Sequence, residues 1–253
     1  MTTAANRRPP QPDRSWAYFL DFDGTLVAIA GSPDAVQLGT GLTPILAALY
    51  RSTGGAVALV TGRAIADIDG IFAGLRLPVA GQHGIERRNA AGRIFRPKLS
   101  ARGFREAREA LSAAVVRNPG LILEDKGLSL ALHYRRVPRL GGYVHRLANS
   151  LVAGMDSTWH VMTGKYVVEI RPAGADKGTA INEFMQEPPF KGRTPIFLGD
   201  DTTDEYGFRM VRMFGGVAVK VGPGTTTAGW RLHDIAAVRS WLEHGHPALA
   251  PTR

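Results

Sequence analysis

Two carboxylates set two residues apart, Asp21 and Asp23, stand in the string Asp21-Phe22-Asp23-Gly24-Thr25, directly after the apolar run Trp16-Ala17-Tyr18-Phe19-Leu20. The run reads as a buried strand, and acids at the end of a strand can converge on one cation. Gly24 lets the backbone turn sharply away. A carboxylate beside Mg²⁺ can act as a phosphate-accepting nucleophile. Three further polar groups sit at comparable places. Thr61 follows the apolar stretch AVALV, residues 56–60. Its hydroxyl and a neighbouring N–H suit a phosphate oxygen, and it reads equally as a helix N-cap. Lys177 falls in the first turn of a helix, where the macrodipole disfavours a cation. That mismatch suggests a functional charge, beside the plainer reading of a surface lysine. Gly199-Asp200-Asp201-Thr202-Thr203-Asp204-Glu205 follows the strand-like PIFL and holds four acids in seven residues. Such acids repel one another unless a cation is present, although a helix N-terminus also favours them. Hard carboxylate oxygens suit Mg²⁺ better than zinc.

The elements that must position these groups alternate. Residues 16–22 read as a strand, 41–52 as a helix with Leu42, Ile45, Leu46 and Leu49 on one face, and 56–60 as a strand. Thr40 or Thr43 is the expected cap of that first helix. A helix over 64–72 and a short strand over 77–80 follow. This βαβα order predicts a parallel sheet with helices on both faces. The pattern changes after Gly84. Residues 85–95 read as a hairpin, 104–116 as a helix, 121–124 and 128–134 as paired strands, 139–152 as a helix, and 158–162 with 166–171 as a second strand pair. Alternation then returns, with helices over 177–187, 204–214 and 234–244 and strands over 194–198 and 217–221. Asp176 is a plausible N-cap for the first of these helices. The expected architecture is α/β: a parallel-sheet core, residues 16–95 and 173–245, interrupted by an α+β domain over 96–172. Residues 1–15, Pro-rich and carrying Arg7, Arg8 and Arg14, read as a disordered tail, as do residues 246–253.

The chain of 253 residues carries 31 Lys and Arg against 22 Asp and Glu, a net charge of +9. No run of five like charges and no aromatic-basic reader motif accompanies that excess, so a nucleic-acid partner is not expected. It reads instead as a basic surface with a phosphate-attracting cleft. There is no Cys, which excludes disulfides, thiolate catalysis and Cys-based zinc sites. No segment reads as a membrane span, and Asp21 and Asp23 interrupt the only signal-like stretch, so a cytoplasmic protein is expected. The sequence leaves the oligomeric state open.

In this order the DFDGT string, Thr61, Lys177 and the GDDTTDE string resemble the haloacid-dehalogenase-like phosphatase superfamily, over residues 16–84 and 173–242. The resemblance implies a Rossmann-like core with an inserted cap domain, Mg²⁺ dependence and an aspartyl-phosphate intermediate. It makes Asp21 the nucleophile. Asp23 becomes general acid and then base, and a metal ligand through its backbone carbonyl. Thr61 and Lys177 become phosphate ligands, Asp200 a metal ligand, and Asp204 a second ligand or a group behind it.

A narrower resemblance, to trehalose-6-phosphate phosphatases, rests on Thr61-Gly62-Arg63, Gly81-Gln82-His83-Gly84-Ile85-Glu86, Leu123-Glu124-Asp125-Lys126-Gly127, Ala131-Leu132-His133-Tyr134-Arg135, the stretch from Gly164 to Pro172 (GKYVVEIRP), and GDDTTDE. Many members have Ser where Thr61 stands; both supply a hydroxyl. This resemblance implies a sugar-phosphate substrate and a cap domain that closes over it. It also implies substrate binding by Lys126, Lys165 and Glu169, and by Arg63, His83 and Glu86 on the hinge side of the core. From the residues alone, Lys126 and Lys165 read equally as solvated turn lysines, His83 as a structural histidine, and Glu169 with Arg171 as the solvent face of a strand. Another capped sugar phosphatase, for sucrose phosphate or mannosyl-phosphoglycerate, and a non-catalytic sugar-phosphate-binding regulator are the alternative functions.

Overall fold

A computed structural model describes residues 7–29, 38–39, 41–97 and 101–244. The chain divides into two compact units, Met1–Phe95 with Asp176–Arg253, and Arg96–Ala175. Thus Ala173 to Ala175, expected with the core, group with the inserted unit.

The first unit contains β1 (Trp16–Leu20), α1 (Leu42–Ser52), β2 (Val57–Val60), α2 (Ile65–Ile71), β3 (Val79–Gly81), β4 (Glu86–Arg88) and β5 (Ile94–Phe95). After the inserted segment it resumes with α5 (Lys177–Met185), β10 (Thr194–Gly199), α6 (Asp204–Met213), β11 (Val217–Val221), β12 (Trp230–Leu232) and α7 (Ile235–His244). Its sheet runs β12-β11-β10-β1-β2-β3-β4-β5. The pairs from β12 to β3 are parallel, and β4 and β5 close the far edge antiparallel. Both faces of β1 are buried, which is why its sequence is apolar without alternation. Tyr18 and Leu20 join the α1, α2 and α7 side, among Leu42, Leu46, Ile65, Val238 and Leu242. Ala17 and Phe19 join the α5 and α6 side, among Ile181, Phe184, Phe208 and Val211. Each such large apolar side chain contributes about 1.5–3 kcal/mol by leaving water.

From β1 the chain goes to β2 on one side, while β10 lies on the other. The carboxyl end of β1 is therefore a topological switch point, where helices and loops part and leave a crevice. Asp21 is the first residue past it, and Asp200 is the first past its neighbour β10.

The second unit holds α3 (Ala101–Arg117), β6 (Ile122–Asp125), β7 (Leu130–His133), α4 (Gly141–Ala153), β8 (Trp159–Gly164) and β9 (Val167–Pro172), with an antiparallel sheet ordered β6-β7-β9-β8. One sheet face, with Leu130, Leu132, Val168 and Ile170, packs against Phe104, Leu111, Val144 and Ala148 of the two helices. Strand alternation sends Glu124, His133, Glu169 and Arg171 to the other face.

Three expectations are corrected. Neither threonine caps α1: Gly41 is the N-cap, with φ 105° and no side-chain cap, Thr43 lies inside the helix, and Thr40 falls outside the described residues. Residues 7–15 are not a free tail. The Arg7 carbonyl accepts from Arg231 N (3.0 Å), the Pro10 carbonyl from Trp241 Nε1 (2.9 Å) and the Asp13 carbonyl from Tyr18 Oη (2.9 Å). Residues 1–6 and 246–253 fall outside the described residues. Third, the sheet gains a strand beyond the expected ones, β12, paired in parallel with β11. Asp176 does cap α5, accepting from Thr179 N at 2.7 Å. Among the described residues, no helix is long and apolar enough to cross a membrane.

Candidate active site

Four sequence-expected residues meet beyond the carboxyl end of β1. The ammonium of Lys177, 3% exposed in the first turn of α5, donates to Asp21 Oδ1 at 2.7 Å and to Asp204 Oδ1 at 2.5 Å. One ligand oxygen each from Asp21, Asp200 and Asp204 lies within 4.8 Å of the others. Lys177 is thus a buried, paired charge and not a surface lysine; the carboxylates offset its unfavourable place at a helix N-terminus.

Two glycines make this convergence sterically possible. A Cβ on Gly24, where φ is +82°, would fall 2.1 Å from Asp200 Oδ2, and one on Gly199 would fall 2.4 Å from Asp204 Cγ. Thr25, not singled out from the sequence, donates through Oγ1 to Asp21 Oδ2 at 3.0 Å and reaches Asp200 Oδ1 at 3.4 Å. The Asp204 carboxylate also accepts from Asp201 N at 2.8 Å, which closes the loop at the start of α6.

Burial shapes the electrostatics. Loss of water pushes the Asp21 carboxyl up to about 6, against the opposing pull of Lys177. Asp204 is likewise pushed up to about 6, first by burial and then by repulsion from Asp21. Asp200 is raised by burial and by Asp204. Burial acts against the charge on Lys177, but the attraction of Asp21 and Asp204 outweighs it and holds the ammonium above its ordinary value. Three crowded acids facing one ammonium leave an excess of negative charge, which a hard divalent cation would relieve. The donor set fits Mg²⁺.

The Asp23 carboxylate is not one of the three in this cluster. It takes two hydrogen bonds from the guanidinium of Arg63, at 2.7 and 2.9 Å. Thr61, fully buried, does not cap α2, whose N-cap is Ala64; its Oγ1 accepts from Arg63 N at 3.1 Å and so shapes the Thr61–Arg63 loop. Gln82 and His83, both at positive φ (49° and 56°), clamp that loop: their N–H groups donate to the carbonyls of Arg63 and Thr61, each at 2.8 Å. Non-glycine residues in this region are uncommon and carry strain of order 1–3 kcal/mol, which persists where surrounding contacts dictate it. Glu86, expected near the substrate, is buried with Oε1 accepting from Ile65 N at 2.8 Å, an anchor for the start of α2.

A family model described as trehalose-phosphatase matches residues 19–235. The chain is also 41% identical over 247 residues to the trehalose-6-phosphate phosphatase of Escherichia coli K12, covering 96% of this chain and 91% of that relative. The chain belongs to the trehalose-phosphatase family. It is 42% identical over 209 residues to a probable trehalose-phosphate phosphatase of Sinorhizobium fredii NGR234, covering 83% of this chain and 78% of the relative. Among solved structures, it matches a trehalose-6-phosphate phosphatase related protein with a TM-score of 0.74 and 28% identity, over 91% of this chain and 97% of that one. Members of the trehalose-phosphatase family so named are phosphoric monoester hydrolases.

The second unit of this trehalose-phosphatase chain carries a polar cluster of its own. Glu169, 6% exposed on β9, accepts from Ser129 Oγ at 2.6 Å and lies 3.7 Å from the ammonium of Lys126. Glu124 and His133 pair at 2.9 Å, and the contact holds the Glu124 carboxyl below the usual range. The Arg171 guanidinium donates to the Ala175 carbonyl at 2.7 Å. Glu169 and Arg171 are buried, so the plain reading of their strand face as solvent-exposed is corrected. Lys165 is exposed in the turn between β8 and β9, and no contact brings it to Glu169. Ser129, which fixes the Glu169 carboxylate, lies 40 residues from it, and no local sequence pattern signals the contact.

Proposed function

We propose that this protein is a Mg²⁺-dependent trehalose-6-phosphate phosphatase that works through an aspartyl-phosphate on Asp21. The observation that carries the reading is the convergence of Asp21, Lys177, Asp200 and Asp204 at the switch point, in a member of the trehalose-phosphatase family. Asp21, Asp200 and Asp204, with the backbone carbonyl of Asp23, would hold Mg²⁺. When bound, the cation would supply charge stabilisation to the transferring phosphoryl oxygens.

The chain's own groups then divide the work. Asp21, kept ionised above about pH 6 and oriented by Thr25, attacks the phosphorus in line as the bond to the sugar oxygen breaks. Lys177 and the Thr61 loop hold the equatorial oxygens, where negative charge spreads. Asp23, released by Arg63 and protonated from solvent before the reaction, gives that proton to the leaving sugar oxygen. It later takes one from the water that attacks the aspartyl-phosphate, so that trehalose and phosphate leave and Asp21 and Asp23 return to their starting states.

The test is phosphate release from a panel of sugar phosphates after EDTA treatment, with and without added Mg²⁺. Trehalose 6-phosphate should be the best substrate, activity should vanish with EDTA, and Mg²⁺ should restore it. Faster release from sucrose phosphate or mannosyl-phosphoglycerate would move the assignment within capped sugar phosphatases. Full activity in EDTA would remove the metal from the mechanism.

In the second unit, Glu169 offers acceptors and Lys126 and Lys165 offer donors to the hydroxyls of a disaccharide. A site built for such bonds penalises ligands that leave its buried groups unpaired. Glu169→Ala should therefore reduce turnover of trehalose 6-phosphate by roughly 10- to 100-fold, while hydrolysis of p-nitrophenyl phosphate changes little. Equal losses on both substrates would assign Glu169 to the fold, through its bond with Ser129.

A further inference from the structure

Lys220 is a buried charge that the chemistry above does not use. It lies on β11 between Val219 and Val221 and is 5% exposed. Its ammonium donates to the backbone carbonyl of Asp200 and to that of Val221, the latter at 3.2 Å. Both partners are neutral, and among the described residues it forms no ion pair. An ammonium whose hydrogen bonds go to neutral carbonyls is costly to bury, and a methionine of similar length would fill the same space without that cost.

Its position suggests what the charge is for. The ladder between β10 and β11 ends at the pair Gly199 and Lys220. The carbonyl of Asp200 is thus the first past the sheet, and the Lys220 side chain takes it. On its other side, the Asp200 carboxylate sits over the backbone of Gly24 and within 3.4 Å of Thr25 Oγ1. The residue is therefore fixed at both ends, from behind by Lys220 and in front by the DFDGT turn. Lys220 also places a second positive charge behind the three-acid cluster, where Lys177 pairs with Asp21 and Asp204 and the attraction of Lys220 reaches Asp200.

We propose that Lys220 is a positioning residue for divalent-cation binding: by holding the Asp200 carbonyl, it aims the Asp200 carboxylate at Asp21 and Asp204. Groups that orient metal ligands typically change affinity by about 10- to 100-fold when removed. The inference rests on the Mg²⁺ reading of the three-acid cluster but is independent of which sugar phosphate is hydrolysed.

The experiment titrates Mg²⁺ alone into the full-length protein by isothermal titration calorimetry, for wild type, Lys220→Met and Lys220→Arg. Lys220→Met should bind Mg²⁺ about tenfold more weakly, and Lys220→Arg, which keeps donors for the Asp200 carbonyl, should recover most of the affinity. Far-ultraviolet circular dichroism reports whether each variant is folded. Should Lys220→Met fail to fold, Lys220→Gln, neutral and shorter, takes its place with the same expected weakening. Wild-type or tighter binding in the neutral variant would overturn the proposal, since removal of a mere like charge near the cation would tighten it. Equal losses in the neutral and arginine variants would also overturn it, in favour of packing. No Mg²⁺ binding by the wild type would overturn it together with the metal reading, and that outcome is distinct from the other two.

Discussion

Replacing Asp21 with Asn is expected to lower turnover of trehalose 6-phosphate by roughly four orders of magnitude or more, and to leave the folded structure in place. Asn matches Asp in size and can still accept from Thr25 or Lys177 through its one carbonyl oxygen, so the contacts at 3.0 and 2.7 Å are not both lost. An amide is a poor nucleophile, so no phosphoryl group is taken up. The direction of the stability change discriminates further. Burial already disfavours the ionised Asp21, and Asp200 and Asp204 crowd it. Removing its charge should therefore hold or raise the melting temperature in EDTA while weakening the stabilisation that added Mg²⁺ confers. Scanning calorimetry with and without Mg²⁺ checks this, and mass spectrometry of protein quenched during turnover checks the covalent step. Near wild-type turnover in the variant would eliminate Asp21 as the nucleophile.

Much of this site was legible because its parts sit at strand ends, where local sequence is decisive. An apolar run followed by DFDGT fixed the place of Asp21, and the wrong-signed charge at the start of α5 marked Lys177 before any contact was known. The spacing of Asp200 and Asp204 put one acid in the loop and the other at the first residue of α6. What stayed hidden depends on long-range packing. The pairing of Asp23 with Arg63 brings together residues 40 apart in sequence, and the bond from Ser129 to Glu169 spans another 40. Burial of Glu169 and Arg171 cannot be read from alternation, which says that two residues share a face but not whether water reaches it. Residues 7–15 differ from the expected free tail for a related reason. Their prolines and arginines carry no apolar pattern, and their order comes from backbone carbonyls of Arg7 and Pro10 that accept from β12 and α7. Lys220 did leave a trace: a single lysine within the otherwise apolar VAVKV, on a strand buried from Ala218 onward. A charge has no reason to be there unless something past the strand's end needs it.

Lys177→Met is expected to destabilise the metal-free protein by about 3–5 kcal/mol near pH 8, because two buried carboxylates lose their common partner. The pH dependence follows from the raised carboxyls. Asp21 and Asp204 reach about 6 in the fold against 3.8 as ordinary aspartates, so the folded state keeps their protons to higher pH than the unfolded chain does. For such groups the stabilising contribution is complete below about pH 4 and is lost as pH rises through about 6. Without Lys177 the two carboxylates lose the main attraction on their charge, their folded values rise further, and the loss extends over a wider range. The difference between wild type and Lys177→Met should accordingly be small near pH 4 to 5, grow as the carboxylates ionise, and reach its full size near pH 8. Lys177 itself stays charged throughout, since its value is raised above the ordinary lysine range, so the trend belongs to the acids. Chemical denaturation in EDTA at several pH values measures it. The comparison must be of the difference, because paired groups such as Asp69 with Arg88 have lowered values and shift both proteins the opposite way in acid. Adding Asp204→Asn to Lys177→Met should recover part of the stability at pH 8 and little at pH 5. A difference that is flat with pH would mean that Lys177 stabilises through its buried aliphatic stem, and that the charge balance among Asp21, Asp204 and Lys177 is not what holds the resting site together.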